Sequence, residues 1–272
     1  MPVLTRDDGT KLWMRRTTAG DLAAWGGWLG LVALTVACFQ FISDQTIWAF
    51  VWDAPQQAAD LLGRAVPPRW SYAEVLWRPL WDTINIATLG TLLAILIGVP
   101  VAFLAAHNTT PSVLLVRPVA LFVIVASRSV NSLIWAMILV IIFGPGMLAG
   151  VLAIGLRSIG FMGKLLYEAI EEIDASQVEA VRATGASGAQ VLGWGIVPQV
   201  MPAFAGISVF RWDINIREAT VLGLVGAGGI GVQLQASIST LAWPQVSLIL
   251  LLIFATVIVS EWVSARVRYA II

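Results

Sequence analysis

Of the chain's 272 residues, 58% are hydrophobic and only 12% are charged, and mean hydropathy is +0.86. Soluble domains carry about 25% charged residues, so long apolar runs with so little charge require lipid as their solvent. Net charge is zero, which removes a global basic field for nucleic acid. One cysteine, Cys38, and one histidine, His107, exclude an internal disulfide, a zinc cluster and a Ser-His-Asp relay.

A spanning helix needs about 20 apolar residues, and the chain offers about six such segments. Residues 1–20 read as a polar cytoplasmic leader, ahead of one membrane domain over 21–268. The first span, Leu22–Ile42, lacks a small-residue cleavage site before Trp48 and reads as a retained helix. An external loop over 44–78 follows. Within it, Asp53–Val66 has the composition of a short surface helix, stopped by Pro67 and Pro68. Two spans, Thr83–Ala106 and Pro118–Phe143, lead to a tight external turn at Gly144, Pro145 and Gly146. After Met147–Leu166 comes the longest cytoplasmic loop, 168–197, and then the spans Val200–Val221 and Val246–Ala265. The expected fold is all-α and polytopic.

Basic loops stay cytoplasmic. Arg6, Lys11, Arg15, Arg16, Arg117, Lys164, Arg182, Arg266 and Arg268 fall on one side of this topology, and only Arg64, Arg69 and Arg78 on the other. Both termini are therefore expected in the cytoplasm. Trp25, Trp28, Trp48, Trp81, Trp243 and Trp262 sit near expected helix ends, as interfacial anchors do.

Charges inside the spans are the sharpest signal, since each costs about 2.5–3.5 kcal/mol at a helix centre. Arg128 and Arg157 fall in the third and fourth spans, and Arg211, Asp213, Arg217 and Glu218 in the fifth. Asp213 and Arg217 are spaced i,i+4 and suit an intrahelical pair. Arg211, Asn215 and Glu218 share another face. Arg128 and Asn131 are spaced i,i+3, with Ser127, Ser129 and Ser132 beside them. Two roles are open to these residues: tying helices together, or lining a pathway. Four arginines against two acids leave a positive excess that suits an anionic cargo, and a guanidinium fork suits a phosphorus oxyanion.

Gly226, Gly228 and Gly231 mimic a dinucleotide fingerprint, but no βαβ pattern surrounds them. With Gly229 they read as a close-packed external turn or gate. There is no Walker loop, no metal-ligand cluster, and no sign of a cofactor held by this chain.

The cytoplasmic loop opens with Glu168, Glu171, Glu172 and Asp174, a solvated acidic face positioned for a partner. The run from Gln177 to Ala183 reads as a short helix ended by Gly185. Such a helix has no membrane to bury its small apolar face, and is expected to need a protein partner.

Here the sequence resembles a family. Glu179-Ala180-Val181, three residues, Gly185, nine residues, then Gly195-Ile196-Val197-Pro198 is similar to the signature loop of ABC importer permeases. Val181, Gly195 and Val197 depart from the family's Ala, Ile and Leu. The string from Arg211 to Gly231, with Gly163-Lys164-Leu165 and Glu168-Ala169-Ile170-Glu171, resembles the phosphonate and phosphite type of permease, over roughly residues 80–265. The resemblance implies a type I importer fold in the bacterial inner membrane and a second permease copy. It also implies two cytoplasmic ATPases that bind ATP and Mg, and a periplasmic binding protein that delivers a small phosphorus oxyanion. Glu179, Ala180, Gly185 and Pro198 would then belong to a coupling helix that docks on the ATPase. Ser127, Arg128, Asn131, Arg157, Arg211, Asn215 and Arg217 would be pathway candidates. An importer permease for another small solute, and a secondary transporter or channel working alone, are the rival readings.

Overall fold

The computed structural model describes residues 3–5, 7–13 and 18–271. Arg6, Arg15 and Arg16, counted above among the cytoplasmic basic residues, lie outside them. The chain forms two units, residues 1–62 and 63–272.

In the first unit, β1 (Val3–Thr5) and β2 (Lys11–Trp13) form an antiparallel hairpin with Leu4 opposite Leu12. It is a strand pair that the polar leader did not announce. Helix α1 (Thr18–Gln45) exposes apolar side chains all round, among them Leu22, Trp25, Leu34 and Phe39, as a lipid-solvated helix does. Helix α2 (Trp48–Ala65) corresponds to the expected surface helix, begun five residues earlier.

The second unit contains α3 (Ala73–Ala105), α4 (Val116–Ser129), α5 (Ser132–Phe143), α6 (Met147–Glu171), α7 (Ala175–Ala183) and α8 (Gly188–Gln190). A π-helical stretch, Val191–Ile196, then leads into α9 (Val197–Leu222), followed by α10 (Ile230–Ser239) and α11 (Trp243–Ile271). Among the described residues, five helical segments are long and apolar enough to cross a membrane, and α4 with α5 makes a sixth if counted as one broken span.

Three expectations need correction. Helix α3 starts ten residues before Thr83, inside what was read as external loop, because Leu76 packs with Ile230, Leu248 and Ile249 into a small core. Helix α10, from the same core, begins at Ile230, so that Gly231, read with the glycine turn, is helical instead. Most consequentially, Pro118–Phe143 is not one continuous helix: α4 and α5 meet at 87°. Val130 and Asn131 are extended, and the Asn131 side chain caps α5 by accepting from the Leu133 N–H at 3.0 Å. A polar run of Ser, Arg and Asn supplied a helix end and a helix start together. Arg128 therefore lies in the last turn of α4, not at mid-helix, and its i,i+3 face with Asn131 does not form.

The core joins α3, α5, α6 and α9 through small and aliphatic residues, including Ile86, Ala87, Ala136, Ala153, Ile154, Ile216 and Ala219, the packing expected where lipid supplies no hydrophobic drive. Gly160 is the closest approach that matters for the site. A Cβ there would lie 2.5 Å from the Ile124 carbonyl oxygen of α4, so only glycine lets the end of α4 seat on α6.

Candidate functional site

The intramembrane charges of α6 and α9 meet. Arg157 of α6 and Arg211 of α9 both donate to Oε1 of Glu218, the second at 3.3 Å. Arg211 is 5% exposed, and its Nε donates to Ser158 Oγ at 3.0 Å. Ser158 donates to Asn215 Oδ1 at 3.0 Å, and Asn215 Nδ2 donates to Thr91 of α3 at 2.8 Å. This chain of donors and acceptors links three helices and satisfies groups that would be costly in lipid. Even so, Arg157 Nε and Glu218 Oε2 are buried with no hydrogen-bond partner among the described residues.

A second pair lies one face round. Arg217 pairs with Asp213 along α9, and Asp213 also accepts from Ser260 of α11 at 2.7 Å. Asp213 is buried, whereas Arg217 is half exposed.

The candidate pathway residues divide between these networks and two cavities. Asn131, Arg157 and Arg217 line a cavity of about 340 Å³ together with Ser132, Glu218 and Ile214. It opens where α4 breaks from α5. Arg128 lines a different cavity, of about 390 Å³, with Ser129, Lys164 and Tyr167. Arg211 and Asn215 line neither and are held in the buried chain. Ser127 pins α4 to α6, accepting from the Gly160 N–H at 2.9 Å and donating to the Leu156 carbonyl.

Phe161 of α6 went unnoticed in the sequence, yet it ties the two cavities together. The guanidinium carbons of Arg128, Arg157 and Arg211 lie 5.4, 5.3 and 4.7 Å from its ring centroid, within cation–π reach. Its spacing from Arg157 (i+4) and Lys164 (i−3) was the available signal, since all three share one face of α6. Ser158, Thr91 and Ser260 were also missed, each a hydroxyl within a spanning segment. Arg128 has no ion-pair partner among the described residues.

On the other side of α6, Asp174 caps α7 by accepting from the Ser176 N–H at 2.9 Å and the Ser176 hydroxyl at 2.7 Å. Those bonds hold its carboxyl below the ordinary value of 3.8. Gly185 ends the helix with φ +82°. Glu179, Ala180 and Pro198 are exposed. The small apolar face of α7 is not left for a partner, as expected above. Val178 is buried with Ala106, Ile170, Val191 and Ile196, and Val181 packs against the same cluster. Gly195 faces Val178 and Val181, so the departure from the family's Ile makes room for α7. The acidic face is largely consumed too. Glu168 pairs with Lys164, and Glu171 takes Arg117 at 3.2 Å and the His107 N–H at 2.8 Å.

The glycine turn packs tightly. Gly226, Gly228 and Gly229 have φ between +76° and +86°, the Gly146 N–H donates to the Gly226 carbonyl at 3.0 Å, and Thr83 accepts from the Ile230 N–H at 2.8 Å. A Cβ on Gly231 would meet the Thr220 carbonyl oxygen at 2.1 Å. Among the described residues no group of three or more His, Cys, Asp or Glu side chains is placed to hold a metal.

Against known proteins, residues 88–269 match the family described as binding-protein-dependent transport system inner membrane component. The chain is 45% identical to the phosphite transport system permease protein PtxC of Stutzerimonas stutzeri over 77% of its own length and 76% of that protein. It is 41% identical to the phosphate-import permease protein PhnE of Mycolicibacterium smegmatis over 79% of its length, which covers 40% of that longer chain. The fold matches a chain of the inward-facing MetNI methionine ABC transporter with a TM-score of 0.64 at 20% identity, over 75% of this chain and 99% of that one. The chain therefore belongs to the family of inner-membrane components of binding-protein-dependent transport systems, multi-pass transport subunits rather than enzymes.

Proposed function

We propose that this chain is the permease of an ATP-driven importer for a small phosphorus oxyanion, such as phosphonate, phosphite or phosphate. The observation that carries it is the set of three guanidiniums around Phe161 with one carboxylate, Glu218, between two of them. Beside it lies a cavity of about 340 Å³ lined by further neutral donors. Local charge stays positive with Arg128 unpaired, as an anion pathway requires. Arg157, Arg217 and Asn131 would meet the cargo in one cavity and Arg128 in the other, while Arg211, Asn215 and Ser127 hold the helices that present them.

Membership of the family supports the following cycle. Two copies of the chain pair around the pathway, a periplasmic binding protein delivers cargo, and two cytoplasmic ATPases bind ATP and Mg. Their closure moves the exposed face of α7 at Glu179 and Ala180, and the spans alternate between outward and inward access. This needs both termini in the cytoplasm, in line with the basic residues Arg117, Arg182, Arg266 and Arg268. A cysteine at Ser187 in a Cys38-free background should then react with impermeant reagents from the cytoplasmic side only. The decisive experiment is ATP hydrolysis by the reconstituted complex with its binding protein. Phosphonates, phosphite and phosphate are expected to stimulate it. Stimulation by amino acids instead, or solute flux through the chain without an ATPase, would overturn the proposal.

A further inference from the structure

We infer that Glu218 makes the larger intramembrane site selective for oxyanions that still carry a proton, so that a P–O–H donor is part of what the permease recognises. This rests on the oxyanion reading above. Glu218 lines the same cavity as Arg157 and Arg217, and its side chain is only 16% exposed. Its Oε1 serves both Arg157 and Arg211, while among the described residues Oε2 is buried without a donor and the Arg157 Nε–H without an acceptor. Here an anion site contains its own anion.

An incoming oxyanion competes with Glu218 for the Arg157 fork. Once it takes that fork, two negative groups stand side by side in a poorly solvated place, where like charges repel strongly. Asn131 and Ser132 of α5 are neutral, and Asp213 of α9 is occupied by Arg217 and Ser260. Among the described groups that line this cavity or pair with Glu218, the added charge is countered by Arg157 and Arg217 in the cavity and by Arg211 behind it. A hydroxyl on the cargo resolves the conflict by donating to the carboxylate, which also satisfies the acceptor that the protein leaves without one. No proton needs to transfer. An oxyanion with no O–H leaves the carboxylate facing bare anionic oxygens.

Phosphate keeps an O–H in both of its common ionic forms. Sulfate, with nearly the same shape, has none. Phosphite keeps one only as the monoanion, because its P–H is not a useful donor. The order of binding should thus follow the hydroxyl rather than charge or size.

The test uses the complex of this chain with its ATPases in lipid nanodiscs, with the binding protein omitted, so that selectivity belongs to the permease. Line broadening of the phosphorus resonance reports weak binding of phosphate, and sulfate is titrated as competitor. In the unsubstituted protein, the sulfate concentration that halves the phosphate broadening, corrected for the phosphate present, should exceed the dissociation constant of phosphate from its own titration by at least about tenfold, as for a site built around a donor hydroxyl. Glu218→Gln, whose amide donates as well as accepts, should bring the two within about threefold of each other. Glu218→Asp, which keeps a carboxylate, should retain the preference and controls for a disturbed fold. Phosphite should broaden as monoanion but not as dianion, and do both in Glu218→Gln. Equal competition by sulfate in the unsubstituted protein, or an unchanged preference in Glu218→Gln, overturns the inference and leaves the importer reading intact. Absence of broadening by every anion, with uptake also absent, defeats both.

Discussion

The charge cluster between α6 and α9 and the short helix α7 lie on the same chain and solve opposite problems. Around Glu218 the charged groups that share its carboxylate are buried or partly buried, so position is dictated by partners: Arg157 and Arg211 share one carboxylate, and Ser158, Asn215 and Thr91 carry the chain of bonds onward. Around α7 water is available, and position is dictated by backbone chemistry: an Asp cap at one end, a left-handed glycine at the other, and a single buried valine between. The first region should fail when a partner is removed. The second should fail when a local conformation is forbidden.

The largest effect is expected at Glu218. Glu218→Ala leaves the buried Arg211 and the partly buried Arg157 without their carboxylate; breaking a fully buried pair costs roughly 3–5 kcal/mol, and partial exposure brings the cost toward the low end. Thermal unfolding of the purified transporter should drop accordingly, and uptake should be lost. The same truncation at Glu179, which is exposed, should leave unfolding within about 0.5 kcal/mol of the unsubstituted chain. Equal effects at the two positions would erase the contrast.

Next comes Arg128, which belongs to neither network. Each charge-assisted bond its fork gives the cargo contributes about 1.5–3 kcal/mol, less where water screens it. Arg128→Met should slow uptake by about tenfold with little change in unfolding, because no ion pair among the described residues is broken. Arg128→Lys keeps charge without the fork and should fall between. Uptake by Arg128→Met at the unsubstituted rate would reduce Arg128 to a packing partner of Phe161.

Gly185→Val tests the other half of the contrast. The site is open, with nothing within 4 Å of an added Cβ, so any cost arises from backbone conformation alone. At φ +82° that cost is roughly 1–2 kcal/mol. The expected outcome is a shifted α7 and a lower ratio of solute imported to ATP hydrolysed, with the membrane spans unperturbed.

The two regions were legible to different degrees. Apolar runs marked about six spans, five of them single long helices in the structure, since a bilayer imposes a length on them. The spacing of Asp213 and Arg217 announced their pair, because both lie on one helix. The sharing of Glu218 by Arg157 was not visible: it joins residues 61 apart, and spacing says nothing of which helices meet. The polar tract from Ser127 to Ser132 read as donors within one helix, when its composition equally fitted a break with an Asn cap. Phe161 was hidden by its type, since an aromatic in a span is ordinarily packing. Around α7 the caps and the glycine were readable because capping is local. The burial of Val178 was not, because it depends on the π-helical stretch folding back beneath it.

The smallest effect expected is a pH dependence confined to α7, and it arises from the cap. Asp174 accepts two bonds from Ser176, which favour the carboxylate and hold its pKa below the ordinary 3.8. A depressed folded-state value means that the cap's contribution is fully present above the unfolded value and is lost as pH falls through the folded one. Hydrogen exchange at the Ser176 amide, corrected for its intrinsic rate, should therefore be slow and constant at neutral and mildly acidic pH and quicken only below the ordinary carboxylate range. Asp174→Asn keeps a capping oxygen but does not titrate, so its exchange should be nearly as slow and should not quicken in acid. Asp174→Ala should exchange fast at every pH. The amides of α6 near Ser158 should show none of this, because no helix cap holds them. Acid-induced exchange there that matched α7 would mean the two regions open together, and that the local control assigned to α7 is not local.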